Sequence, residues 1–166
     1  MPDIAYETDF GVARVPYLSD YRIGGAPTVA APVFLEMVVA AVAEHCDCTC
    51  IELSSVTLSK PPAAPAAAEL TISLRLEQDG DQRWNFVVGT PGGTTFAAGT
   101  AKAIAESAEN DGFATEVDSN ADIEQFYQQL ADAGLELGDQ FQVIQSLAAD
   151  ATGVFLNLRL DASLTT

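Results

Sequence analysis

Asp20, Tyr21 and Arg22 stand side by side in Tyr17-Leu-Ser-Asp-Tyr-Arg-Ile-Gly-Gly-Ala-Pro27. A carboxylate can take a proton, a phenol can give one or orient an oxygen, and a guanidinium can hold an anion or a carbonyl. Gly24 and Gly25 let the backbone turn and let a ligand approach closely. A further carboxyl, Glu36, sits in the run VFLEMVVAAVAE at residues 33–44, which is otherwise apolar on every side apart from its last residue. A helix apolar all round is a buried helix, and a carboxyl held inside one would suit acid–base work. The bland alternatives are a Tyr21 that only fills space and a Glu36 that only makes a hydrogen bond.

The elements that would position these groups follow from pattern. Residues 33–44 are too few to span a bilayer, which takes about 20 apolar residues. Pro32 suits the first turn of this helix. The simplest partner for it is a sheet. Residues 4–15 read as an extended segment ended by Pro16, and residues 50–58 as a strand. Residues 69–77 alternate cleanly, with Leu70, Ile72, Leu74 and Leu76 on one face, as a half-buried antiparallel strand does. Gln78-Asp-Gly-Asp81 predicts a hairpin turn into a return strand at 82–89 that carries Trp84, Phe86 and Val88 in register. Pro91-Gly-Gly93 turns the chain again, and the small residues of 94–104 allow close packing against the helix.

The fold class is therefore α+β: a long buried helix wrapped by a curved antiparallel sheet, over residues 1–105. Residues 106–120 are acidic and poor in apolar side chains, and read as a linker. From 121 the pattern is a helix to Ala133 capped by Ser119 or Asn120, a stop at Gly134, and strands at 141–147 and 153–160. Ile123, Phe126, Tyr127 and Leu130 form the helix stripe, and Val154, Leu156, Leu158 and Leu160 share one strand face. This part either extends the first sheet or begins a second unit.

Composition limits the partners. The 166 residues carry 24 Asp and Glu against 7 Lys and Arg, a formal net charge of −17. Nucleic acid and anionic membranes both need clustered cations, and the lysines are only Lys60 and Lys102. Neither nucleic acid nor membrane is an expected partner. No basic segment followed by an apolar run opens the chain, so a cytoplasmic location is expected. His45, Cys46, Cys48 and Cys50 lie together, but zinc sites favour cysteines two to four residues apart with a second pair elsewhere. The cluster reads as small residues at a helix-to-strand junction, with Cys48 and Cys50 on one strand face. No metal and no cofactor are expected.

The run Tyr17-Leu-Ser-Asp-Tyr-Arg-Ile-Gly-Gly, followed by Val33-Phe-Leu-Glu-Met, resembles the start of polyketide synthase dehydratase domains. There a leucine-x-aspartate-histidine run leads through a glycine to a buried helix that begins tyrosine-leucine-glutamate. Phe126-Tyr-Gln-Gln-Leu-Ala-Asp-Ala-Gly-Leu-Glu-Leu-Gly-Asp-Gln-Phe-Gln142 is similar to that family's entry into a second hot-dog, a phenylalanine-tyrosine pair, a glycine, then tyrosine-glycine-proline-x-phenylalanine. The resemblance implies a hot-dog fold with a partial second hot-dog-like extension at 121–166. It puts the family's catalytic histidine on Tyr21, its glycine on Gly25, and its proline and next glycine on Ala30 and Ala31. The family's catalytic aspartate falls beyond the last residue of this sequence.

Removing water from a β-hydroxyacyl thioester needs a base for the α-proton and an acid for the hydroxyl. Imidazole suits the first task near neutral pH, whereas a tyrosine is a poor base. His45, at the far end of the helix, is not an expected substitute. One expectation is an enzyme that acts on an acyl or polyketide intermediate, free or carrier-bound, by cyclisation or isomerisation. Tyr21, Glu36 and Asp20 would carry its chemistry, and Arg22, Gly24, Gly25 and Phe34 would contact substrate. A second is a noncatalytic module that binds acyl chains, forms a homodimer or is completed by another polyketide synthase chain. A third is a hot-dog thioesterase in which Glu36 or Asp20 serves a water.

Overall fold

The computed structural model describes residues 4–66, 70–105, 121–149 and 153–159. In chain order β1 (Ile4–Phe10) is followed by a short 3-10 turn at Pro16–Asp20, then β2 (Tyr21–Ile23), β3 (Ala26–Pro27) and α1 (Ala31–Cys46). After α1 come β4 (Ile51–Leu58), β5 (Leu70–Gln78), β6 (Arg83–Gly89) and β7 (Thr95–Ala103). The C-terminal part holds α2 (Ile123–Asp132), β8 (Leu135–Leu137), β9 (Ile144–Ala149) and β10 (Val154–Leu158).

Five strands form one antiparallel sheet in the order β1-β5-β6-β7-β4. Its inner face is the one the alternation marks. Ile72, Leu74 and Leu76 of β5, and Trp84, Phe86 and Val88 of β6, are all buried. Leu74 pairs with Val88 and Leu76 with Phe86, so the apolar sets of the two strands meet in register. The β5–β6 turn is the predicted hairpin, with Gly80 at φ 112°. Bulges bend the sheet between Ser54 and Thr57 of β4 and at Val88–Gly89 of β6. α1 packs chiefly on β7, where Ala97 and Ala101 are fully buried. Gly99 admits the Phe86 ring, since a Cβ there would stand 2.9 Å from Phe86 Cζ.

The helix departs from expectation in its extent and in its burial. It runs two residues further at each end, with Pro32 in its first turn, and it is half-buried rather than buried all round. Phe34, Val38, Ala41 and Val42 face the sheet and are buried. Pro32, Glu36, Ala40 and Glu44, on the opposite side, are exposed. Apolar composition alone could not reveal this, because the half-buried flanks Val33, Leu35 and Met37 are as apolar as the buried side and widen the apolar surface around most of the helix. Glu36 is thus exposed, not the desolvated carboxyl that the sequence predicted.

The first strand is shorter than expected. It ends at Phe10, and residues 11–15 turn, with Val15 N–H donating to Gly11 O at 2.8 Å. α2 begins at Ile123, and its N-cap is Asp122 rather than Ser119 or Asn120, with Asp122 Oδ1 accepting from Gln125 N at 3.1 Å. Gly134, at φ 89°, ends it as predicted. Among the described residues β9 and β10 pair with each other and do not extend the five-stranded sheet. The predicted linker at 106–120 and residue 160, the last of the predicted final strand, lie outside the described residues.

Candidate active site

The loop Tyr17–Pro27 is more ordered than its composition predicts. Leu18, fully buried, anchors the 3-10 turn to the core, and Ser19 Oγ donates to Pro16 O at 2.8 Å. The turn leads straight into β2. Gly24 and Gly25 then reverse the chain into β3 at φ 58° and 79°, the left-handed region that glycine enters without strain. Arg22 crosses the reversal, its Nε donating to Ser19 O at 2.9 Å and its Nη1 to Gly25 O at 3.1 Å. Two charge-assisted bonds to backbone carbonyls hold the loop in one shape.

The C-terminal part closes over this loop. β8 joins β2 as the third strand of a small antiparallel sheet, pairing Tyr21 with Leu137, Arg22 with Glu136 and Ile23 with Leu135. Gly24 N–H donates to Gly134 O at 2.8 Å, and Gly138 N–H donates to Asp20 O at 2.7 Å. Phe141 follows with its ring centroid 5.4 Å from that of Tyr21 and 6.4 Å from that of Tyr17. Burial pushes the Tyr17 hydroxyl above its ordinary value of 10.0.

A cavity of about 350 Å³ opens where the two parts meet, lined by Ser19, Asp20, Arg22, Glu136, Leu137 and Gly138. Asp20 is its half-buried carboxylate. The Ser19 hydroxyl, whose one proton goes chiefly to Pro16 O, stands 3.3 Å from Asp20 Oδ1, and Gln140 N–H reaches Asp20 Oδ2 at 3.5 Å. Arg22 brings a cation to the same wall. A larger cavity of about 660 Å³ lies between α2 and β8–β9, among Tyr127, Gln128, Gln142 and Ile144. Glu136 and Leu137 line both cavities. Tyr127 Oη accepts from Ile144 N–H at 3.1 Å, which ties α2 to β9.

The structure brings some of the predicted site residues together and not others. Asp20 and Arg22 line one cavity, whereas Tyr21, between them on the chain, is not among the residues lining either cavity and rests its ring against Phe141. Gly24 and Gly25 are exposed on the adjoining turn. Glu36 is exposed on α1 and is not among the residues lining either cavity. Phe34, predicted to contact substrate, is 1% exposed and stacks on Phe96 at 5.5 Å, so its ring is part of the core. His45 packs its edge against Trp84 at the far end of α1. Among the described residues no group of three or more His, Cys, Asp or Glu comes together to hold a metal ion.

Sequence reasoning gave no site role to Gly138 and Phe141, or to β8 itself. The signal was present as Gly134-Leu-Glu-Leu-Gly138, an alternating triplet between glycines. It is too short to read as a strand without the partner that β2 supplies.

The comparisons with known proteins agree with one another. The chain matches the family described as polyketide synthase dehydratase domain over residues 2–90. It matches the polyketide synthase dehydratase N-terminal domain over residues 103–166. No curated protein matches it. Among solved structures it is similar to the dehydratase domain from the CurF module of curacin polyketide synthase, with a TM-score of 0.86 and 16% identity over 99% of this chain. The dehydratase domain from the CurJ module gives 0.85 and 16% over 98%. The dehydratase domain of PpsC from Mycobacterium tuberculosis, solved in complex with C12:1-CoA, gives 0.77 and 22% over 97%. The chain spans 63%, 59% and 59% of these three structures respectively. At these identities the likeness establishes the hot-dog fold.

Proposed function

The chain belongs to the polyketide synthase dehydratase family, and from that premise we propose that it acts on an acyl or polyketide intermediate by chemistry other than dehydration, a cyclisation or an isomerisation. The observation that carries this reading is the junction of β2 with β8. It sets the Tyr21 ring against Phe141 and puts Asp20 and Arg22 on the wall of one cavity. The sequence resemblance aligns Tyr21 with the family's histidine, and a phenol in that place is a poor base but a good donor.

The roles follow from the groups. Tyr21 does not line the cavity in this structure, so on this reading the intermediate reaches past Asp20 to the Phe141 side, where the Tyr21 hydroxyl donates to its carbonyl oxygen and stabilises the negative charge that forms there on enolisation. The Asp20 carboxylate, open to the cavity, takes the α-proton and can return it at another carbon, which is an isomerisation. If the enolate carbon instead attacks a second carbonyl of the same chain, the product is a ring. Arg22 steadies the thioester or a distal carboxylate while its two backbone bonds keep the loop fixed. Gly24 and Gly25 leave the approach free of side chains. Glu36 remains a second candidate base only if a ligand covers the outward face of α1, because water reaches it in this structure.

The test is incubation with β-ketoacyl and β-hydroxyacyl thioesters, with products followed by mass spectrometry. Products isomeric with the substrate support the reading. Products lighter by one water would replace it with ordinary dehydration.

A second reading has its own observations. β4 is an edge strand with Val56 and Leu58 exposed at 37% and 47%, and on β10 Val154, Leu156 and Leu158 are exposed at 64%, 47% and 61%. Open edges bearing apolar side chains favour pairing with another chain. On this reading the protein is a noncatalytic acyl-binding module that forms a homodimer or is completed by another polyketide synthase chain. Native mass spectrometry distinguishes the two: a monomer that turns over thioesters excludes the second, and a dimer that binds acyl thioesters without converting them excludes the first.

A further inference from the structure

The cavity of about 660 Å³ between α2 and β8–β9 takes no part in the roles given to Asp20, Tyr21 and Arg22. It adjoins the smaller cavity, because Glu136 and Leu137 of β8 stand in the wall of both. The turn after β8 links the two places again. Phe141 N–H and Gln142 N–H both donate to Gly138 O, at 2.9 and 3.2 Å. One turn thus sets Phe141 against Tyr21 and Gln142 in the wall of the larger cavity. A chain whose carbonyl lies between Asp20 and Tyr21 has, across Leu137, a second space for its far end. The free cysteines lie elsewhere, around the end of α1, and the expectation that Cys48 and Cys50 share one strand face does not hold, because β4 begins only at Ile51.

The polar groups of the larger cavity are mostly acceptors. Gln142 Nε2 donates to Leu137 O at 2.7 Å, and Gln128 Nε2 donates to Asp132 Oδ1 at 2.9 Å. Each amide therefore has one N–H in use, while its carbonyl oxygen is left to accept. Glu124 and Glu136 add carboxylates, which only accept. On the donor side stand the second N–H of each amide and the Tyr127 hydroxyl. Tyr127 Oη accepts from Ile144 N–H at 3.1 Å, which leaves its own proton to give. A ligand that satisfies such a wall must bring donors.

We infer that the larger cavity holds the far end of the acyl chain and selects chains that carry hydroxyl groups there over saturated ones. This rests on the reading of the smaller cavity as the place where the carbonyl is handled. A hydroxyl fits because it donates to an amide oxygen and accepts from Tyr127 at once. A saturated tail would strip water from the amide oxygens and return no hydrogen bond. A carboxylate tail would meet Glu124 and Glu136 in a chain of net charge −17. An ammonium tail would gain little, because both glutamates are exposed and exposed ion pairs are weak. Ile123, Leu137 and Ile144 give the carbons between the hydroxyls an apolar surface to lie on.

The test is binding, measured by titration calorimetry on the full chain with three pantetheine thioesters of one length. One is decanoyl, the second carries two hydroxyls near its far end, and the third ends in an amine. The dihydroxy chain is expected to bind about fivefold or more tighter than the saturated one, the scale of two hydrogen bonds between neutral groups. Gln128→Leu, a change at an exposed side chain of α2, should bring the two within about twofold. Gln128→Glu keeps the acceptors and should keep the preference. Circular dichroism checks that both variants fold as the wild type does. The inference is overturned, with the acyl reading left standing, by equal affinities in the wild type, by tightest binding of the amine, by a preference that survives Gln128→Leu or by one that Gln128→Glu abolishes. Binding of none of the three thioesters removes both.

Discussion

Gly138 leaves the space that the Asp20 side chain occupies: a Cβ built on Gly138 would stand 2.6 Å from Asp20 Cγ and 2.8 Å from Asp20 Cβ. The same two residues share a backbone bond, Gly138 N–H to Asp20 O at 2.7 Å. One contact point therefore fixes the separation of β8 from the loop and the position of the carboxylate.

Gly138→Ala is expected to cost about 1–3 kcal/mol, because the added methyl meets a short side chain next to backbone and something must shift. Chemical denaturation measures it. Paired with Asp20→Gly, the cost should fall well short of the sum of the two single costs, since that change removes both the Cβ and the Cγ that the methyl would meet. Additive costs would show that the two residues do not compete for that space.

Phe141 is the ring on which Tyr21 rests, at 5.4 Å and an angle of 55°. Aromatic pairs contribute about 0.5–1.5 kcal/mol beyond area burial, and Phe141 makes two such contacts. Phe141→Leu should therefore destabilise by about 1–2 kcal/mol and lower turnover as Tyr21 loses its support. Tyr21→Phe should leave stability within about 1 kcal/mol and lower turnover. A Phe141→Leu protein with full activity would detach the C-terminal part from the site.

The alkaline limb of stability belongs partly to Tyr17. Its folded-state value lies above the unfolded 10.0, so as pH rises past 10 the unfolded chain loses its proton first. The folded chain then holds the extra proton, and stability falls with rising pH across that window. Below 10 the contribution is fully present. Thermal melts from pH 8 to 11 should show a decline above 10 that Tyr17→Phe makes shallower. An identical decline in the variant would assign it to other groups.

Much of the fold was legible because one physical signal dominates it. The alternation of β5 and β6 and the turns at Gly80 and Pro91-Gly-Gly93 are local, and the antiparallel sheet follows from them. The burial of α1 was not legible, since its half-buried flanks (Val33, Leu35, Met37) are as apolar as its inward side (Phe34, Val38) and leave Glu36 and Glu44 as the sole marks of the outward side. Which side faces the sheet depends on contacts from β7, far along the chain. The same limit hid the cavity. Asp20, Tyr21 and Arg22 announce chemistry by type, but Glu136, Leu137 and Phe141 reach them only through a pairing more than a hundred residues away in sequence. Glu36 shows the converse error, a residue whose local setting implied burial and whose tertiary setting is water.

Core packing gives a test independent of function. Phe34 is 1% exposed and stacks on Phe96 at an angle of 18°. Phe34→Ala should cost about 3–5 kcal/mol, as a large cavity opens between α1 and β7. Equilibrium denaturation measures it. A cost below about 1 kcal/mol would mean that the ring is free to leave the core, as a substrate contact would require.

The most direct measurement of the central claim is turnover of a β-ketoacyl thioester by the wild type and by Tyr21→Phe, with products weighed by mass spectrometry. The proposed mechanism predicts a product isomeric with the substrate, and a rate lowered by roughly a hundredfold or more in Tyr21→Phe, the ordinary scale of one positioned proton donor. Equal rates in the two proteins, or a product lighter by one water, would contradict it.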